Sequence, residues 1–213
     1  MSRWWVDLGL AEQLKYTRDR VVEYFFGTIG WLYQPQLSSF REGLTKVNGL
    51  ITTIDDTYDL YGSMDELVLF TDAVNRWELN APQNLPEYLK VLISALFKTV
   101  EEISHEILNK KGVDISSYLK KGWADLCNSF LLEAKWYHSG YTPTLEEYLN
   151  NAWISISNPV ILIHTYFYVI EEISTDEALD GLVNYNGIIR WSSIIIRLTN
   201  DLAGALEVRA LNI

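Results

Sequence analysis

The sequence predicts an all-α protein, and three observations carry that expectation. Apolar residues recur at three and four positions along nearly every segment, the spacing of one helix face. No run of apolar/polar alternation is long enough to defend as a strand. "SMDE" (Ser63 to Glu66), "TLEE" (Thr144 to Glu147) and "STDE" (Ser174 to Glu177) each have the Ser/Thr-x-x-Glu capping pattern, in which hydroxyl and carboxylate satisfy orphan amide donors reciprocally.

The segments follow in chain order. "SRWWVDLGL" lacks the basic and continuously apolar regions of a secretory signal and the Ser/Arg-rich character of a transit peptide, so no targeting segment is visible. A helix is expected from near Ala11 and carries "TRDR", Thr17 to Arg20. Pro and Gly cluster at "YQPQ", "NAPQNLP", "NKKG" and "HSGYTP", which mark breaks. Between the first two breaks, the apolar "VNGLITTI" leads into "DDTYD" at 55–59. "TLEE" opens one long pattern from Leu145 to Ile170, interrupted by Pro159, which removes an amide donor and crowds the carbonyl four residues earlier. Two readings follow: a simple break between core helices, or a kink whose freed carbonyl dipoles line a cavity. The last segment holds "RWSSIIIRLTNDL". In all, about six or seven long helices are expected.

Composition narrows the function classes. With 213 residues, 48% hydrophobic and 13% aromatic, the chain buries a sizeable core and reads as one domain. A net charge of −11 disfavours nucleic acid as a partner, because no positive field attracts phosphate backbones. Cys127, the one cysteine, excludes an intramolecular disulfide and thiolate zinc clusters, and reads as buried filler. The most apolar stretch, "AWISISNPVILIHTYFYVI", contains Asn158, Pro159 and His164 and is expected to be a buried helix, not a membrane span. The histidines at 105, 138 and 164 have no ligand spacing, and neither a Ser-His-Asp arrangement nor a Gly-rich phosphate loop is evident. Most of the aromatic side chains are expected in the core, with a few offering ring faces to a cation.

Three constellations carry chemistry. Asp55 and Asp59, four apart, project from one helix face within about 40° of each other, with Asp56 about a quarter-turn away. Behind an apolar run they read as paired carboxylates at the mouth of a buried face, and burying like charges calls for protonation or a cation. Oxygen-only ligands favour Mg²⁺ or Mn²⁺ over zinc. In "RLTNDLAGALE", Asn200, Gly204 and Glu207 share one stripe with Arg197 a turn earlier, either a second oxygen-rich face or a polar surface. Arg18 and Arg20 suit bidentate recognition of phosphate oxygens, or plain surface ion pairs with Asp19 and Glu23.

Together "RDR", "DDTYD" and "RLTNDL" resemble the C-terminal catalytic α-domain of plant class I terpene synthases. The resemblance runs through "SRWWVDLGL", "YQPQ", "VNRWELN", "LPEYLK" and "NAWISIS", almost the whole chain. It implies a class I helical bundle around a deep apolar pocket, incomplete here at both ends, with residues 1–213 forming a partial metal-binding domain. It also implies an enzyme that ionises an allylic prenyl diphosphate with three Mg²⁺ ions, Mn²⁺ being an alternative, and steers the carbocation to a terpene. By position, Asp55 and Asp59 would bind metal, Asp56 would support them, and Asn200 with Glu207 would lie near the third ion. Arg18, Arg20 and Arg197 would take the diphosphate. Geranyl diphosphate is the expected substrate and farnesyl diphosphate the alternative. Monoterpene relatives imply a plastid, a sesquiterpene synthase the cytoplasm.

Three departures from the family pattern are visible. Its second motif has a hydroxyl residue where this chain has Gly204 and a glutamate where it has Val208, Glu207 coming one residue early. Gly27 stands where many relatives carry a pocket tryptophan. The chain also starts inside the family's α-domain and ends soon after the second motif, which reads as a fragment. A non-catalytic remnant, binding metal or diphosphate or packing on another subunit, therefore stays open beside the enzyme.

Overall fold

The computed structural model describes residues 2–14, 16–78, 84–171 and 176–210, with the side chains at 2, 11, 176–178 and 207–210 outside that description. No strand occurs among the described residues. The chain runs through α1 (Ser2–Leu8), α2 (Leu10–Gln13), α3 (Val21–Trp31), a 3₁₀ turn (Pro35–Leu37) and α4 (Ser38–Asp56), which passes directly into a π turn (Thr57–Tyr61). Then come α5 (Met64–Arg76), α6 (Glu87–Lys111), α7 (Ser116–Ser139), α8 (Leu145–Ser155), α9 (Asn158–Val169), α10 (Asp176–Val183) and α11 (Gly187–Ala210).

Eight of these helices have eleven or more residues, against the six or seven expected. One reason is Pro159. It sits in the first turn of α9, where its missing N–H costs nothing, and the pattern from Leu145 to Ile170 is two helices joined through Ile156 and Ser157. A second difference lies at the start. The helix expected from Ala11 ends at Gln13, so Arg18 and Arg20 stand in the link between α2 and α3.

The local punctuation otherwise acts as its chemistry dictates. Capping boxes form at Ser63/Glu66 and Thr144/Glu147, with the Ser63 and Thr144 amides donating to the glutamates at 2.9 and 2.8 Å. The third, from Ser174, lies outside the described residues. Gly112 and Gly140 end α6 and α7 at φ 72° and 67°, conformations that a side chain would strain.

α4, α6 and α7 supply the centre of the core. Leu44, Val47, Leu50 and Ile54 of α4 are fully buried, as are Leu119, Trp123, Leu126 and Cys127 of α7. Each large apolar side chain so buried contributes roughly 1.5–3 kcal/mol relative to exposure. α9 lies against α4 closely enough that a Cβ on Gly43 would overlap the Tyr168 ring. α8 and α9 pack on α7, and α11 on α8 and α9, which brings the "RLTNDL" segment toward α4. Cys127 is filler as expected, its thiol pushed by burial up to about 12.

Not every aromatic side chain is interior. Phe26 and Trp31 on α3 and Trp191 on α11 are at least half exposed. No helix among the described residues is long and apolar enough to cross a membrane.

Candidate functional site

The site is organised by the end of α4. There the backbone changes from the α to the π hydrogen-bond pattern, Gly62 N–H donating to Thr57 O at 2.8 Å, five residues back. Such turns are rare and recur at functional positions. Side chains clamp this one on two sides. Thr57 spends its hydroxyl proton on Thr53 O (2.8 Å), so Tyr16 is the donor in the 3.0 Å contact between the two hydroxyls. By the same logic Tyr58 donates to Thr71 at 2.7 Å, because Thr71 donates to Leu67 O. The Tyr61 ring stacks on Tyr16 with centroids 3.9 Å apart.

Asp55 from α4 and Asp59 from the π turn line one cleft of about 330 Å³. Glu133 of α7 joins them, held by Ser155 Oγ at 2.6 Å and Asn151 Nδ2 at 3.2 Å. Ser155, Ile156 and Ser157, the break between α8 and α9, form another wall, with Ser157 held at φ 64°. The Pro159 position is thus a break between two helices, and its connecting residues also line the cleft. Arg197 and Asn200 of α11 complete the lining.

The electrostatics follow from three carboxyl groups sharing the cleft with one guanidinium. Burial, then the charges of Asp59 and Asp56, push Asp55 up to about 7 against the opposing pull of Arg18. Asp59 is raised by burial and Asp56, and Glu133 by burial, with Arg197 opposing both shifts. Added positive charge would favour the ionised form of all three, and the oxygen donors of Asp55, Asp59, Glu133 and Asn200 suit a hard divalent cation. Among the described residues no three His, Cys, Asp or Glu side chains gather tightly enough to enclose an ion. One or two carboxylates per ion, completed by ligand and water oxygens, is the manner in which Mg²⁺ is held with phosphates.

Several expected residues stand elsewhere. Asp56, expected to support the metal ligands, does not line the cleft. Its side chain is 8% exposed and engaged by Arg18, Nε to Oδ2 at 2.9 Å and Nη2 to Oδ1 at 2.6 Å. Arg18, expected on a diphosphate, is thereby committed to a carboxylate. Arg20 is exposed at the start of α3 and does not line the cleft either. The α11 helix passes through Glu207, whose side chain lies outside the described residues. A Cβ on Gly204 would meet open space. So would one on Gly27.

Sequence reasoning missed Glu133. The available signal was a carboxylate three residues after Phe130 inside the apolar run "SFLLEA". It also missed Tyr148, which has no sequence signature; Asp201, noted with Arg197 and Asn200 in "RLTNDLAGALE", pairs with Arg197 at the i,i+4 spacing, and Tyr148 joins the two in a hydrogen-bonded group.

An all-α bundle with a cleft that sets oxygen donors beside an arginine has the chemistry to receive a hard divalent cation and an anion. The chain matches the terpene synthase family, metal binding domain, over residues 6–210, and it belongs to that family. It is 54% identical over 207 residues to a (-)-alpha-terpineol synthase of Vitis vinifera, a match covering 97% of this chain and 35% of that protein. To a chloroplastic myrcene synthase of Quercus ilex it is 52% identical, over 97% of this chain and 34% of the relative. The chain thus spans about a third of the length of these curated relatives. Among solved structures it resembles isoprene synthase from grey poplar leaves, in complex with three Mg²⁺ ions and dimethylallyl-S-thiolodiphosphate. That match has a TM-score of 0.93 and 47% identity, over 98% of this chain and 40% of the other. A limonene synthase with 2-fluorolinalyl diphosphate matches with a TM-score of 0.89 and 42% identity, over 94% and 37%.

Proposed function

We propose that this chain provides the ionisation site of a Mg²⁺-dependent terpene synthase, a carbon–oxygen lyase that cleaves geranyl diphosphate, converts the allylic cation to a monoterpene and releases diphosphate. The observation that carries the reading is the single cleft shared by Asp55, Asp59, Glu133, Arg197 and Asn200. Asp55 and Asp59 would hold metal from one side, Asn200 and Glu207 near a third ion from the other, with Glu133 an additional carboxylate. Mg²⁺, or Mn²⁺ on the same oxygens, supplies neutralisation of the diphosphate as its C–O bond breaks.

The residues of the chain do the rest. Arg197 keeps its charge at every working pH and binds diphosphate oxygens. Arg20 is exposed and outside the cleft lining, and Arg18 would bind the anion only by leaving Asp56. Ile156 lines both the cleft and an apolar cavity of about 540 Å³ walled by Phe40, Ile161, Leu162 and Ile196, which suits a hydrocarbon chain next to its leaving group. Such walls exclude the water that would quench a cation early. Relatives named for alpha-terpineol, myrcene and linalool support the ten-carbon substrate, and those named chloroplastic support a plastid. Gly204 favours the second reading, a non-catalytic fragment that binds metal and diphosphate, because the hydroxyl expected near the third ion is missing.

The test incubates the purified 213-residue chain with Mg²⁺ and geranyl or farnesyl diphosphate, with gas chromatography of the volatiles and Asp55→Ala as control. Monoterpene that disappears in the control supports the proposal. Product from farnesyl diphosphate alone moves the substrate to fifteen carbons, and no product from folded protein favours the fragment.

A further inference from the structure

Arg197 is half-buried, and its bonding is one-sided. The Nε–H donates to the Tyr148 hydroxyl at 2.7 Å, and the same nitrogen lies 2.9 Å from Asp201 Oδ1. The Tyr148 hydroxyl in turn donates to Asp201 Oδ2 at 2.5 Å. One hydroxyl thus accepts from the guanidinium and donates to the carboxylate, which a phenol does with its single proton and a free lone pair. Burial and Asp201 push Tyr148 up to about 12, so it keeps that proton at working pH. The guanidinium also lies over the Tyr148 ring, 5.3 Å from the centroid. Both Nη groups have no hydrogen-bond partner among the described residues, although Arg197 lines the cleft beside Asn200.

From this geometry we infer that Tyr148 is a positioning residue for diphosphate binding: it holds the Nε edge of Arg197 against α8 so that both Nη groups present a preset fork to the anion in the cleft. The inference rests on the function proposed above. A guanidinium recognises phosphate through two parallel N–H···O bonds, and this works only if its plane is set before the ligand arrives. Ionic contact with Asp201 fixes the charge in place but not the plane. The hydroxyl, bonded to both partners, does. Asp201 is itself anchored by this bond on the turn of α11 that carries Asn200, so the same hydroxyl also steadies the neighbouring candidate ligand.

The probe is inorganic pyrophosphate with Mg²⁺, titrated calorimetrically into the wild-type chain, Tyr148→Phe, Arg197→Ala and the double variant. Tyr148→Phe keeps the ring and its packing and removes only the hydroxyl. It is expected to weaken pyrophosphate binding about tenfold, the usual size for losing a partner that orients a charged group. In the Arg197→Ala background the same change is expected to have no further effect, a coupling that a merely structural role does not produce. Asp201→Ala, which withdraws the acceptor of the hydroxyl, is a second variant should Tyr148→Phe fail to fold, and is expected to weaken binding in the same direction. Equal losses in both backgrounds, or no loss in either, would overturn the positioning role and leave the proposed function intact. A folded wild-type chain that binds no pyrophosphate overturns both.

Discussion

Replacing Asp55 by Asn changes a carboxyl into an uncharged group of nearly the same shape at the most electrostatically loaded point of the cleft. The Asp55 carboxyl goes from its ordinary 3.8 to about 7 in the folded protein, chiefly through burial and then Asp59. The folded state therefore keeps a proton that the unfolded chain has already lost. Stability falls as the pH rises from about 4 to about 7 and is level above that. At about 1.4 kcal/mol per pH unit, the full displacement corresponds to on the order of 4 kcal/mol. Asp55 retains some contact with solvent, which screens its neighbours, and about half of that is the working figure. For a chain of this length about 2 kcal/mol amounts to roughly 4–8 °C in Tm. Thermal melting in metal-free buffer is expected to show Asp55→Asn and wild type together near pH 4, with the variant about 4–8 °C higher near pH 8. Mg²⁺ with pyrophosphate should narrow that gap by raising the wild type. Parallel melting curves across the range would refute the electrostatic reading of the cleft.

Other outcomes follow from individual contacts. Gly43→Ala forces a methyl into the Tyr168 ring and is expected to destabilise by about 1–3 kcal/mol, seen as a lower denaturant midpoint at unchanged slope. Asp56→Ala leaves Arg18, whose side chain is 42% exposed, without its carboxylate, so the loss is moderated by water to about 1 kcal/mol. Its distinguishing mark is faster hydrogen exchange around residues 16–20 and the π turn, while α6 stays protected. Gly204→Ser meets no steric obstacle and is expected to stabilise α11 by a few tenths of a kcal/mol. If a hydroxyl is what the third ion lacks, that variant also binds Mg²⁺-pyrophosphate more tightly, by titration calorimetry.

Local chemistry made much of this molecule legible in advance. Helix type, two capping boxes, the glycine stops after α6 and α7, and the pairing of Asp55 with Asp59 all depend on residues three to five apart. The distribution of the polar groups across helices was legible only in part. Asp56 looked like a third member of an acidic patch because it is adjacent in sequence, but the adjacent position points elsewhere and meets Arg18, 38 residues away. The π turn was hidden for a related reason: its clamps, Tyr16 on Thr57 and Thr71 on Tyr58, come from other segments.

What the sequence by itself determined is therefore the helical class and the placing of Asp55 and Asp59 on one face, since periodicity, caps and offsets of four are short-range geometry read along one helix. The tertiary structure alone decided that Glu133 enters the cleft, that Asp56 leaves it and that Tyr148 orients Arg197. Asp56 and Arg18 are 38 residues apart and Tyr148 and Arg197 are 49 apart, and only the packing of separate segments brings such oxygen and nitrogen atoms within hydrogen-bonding reach.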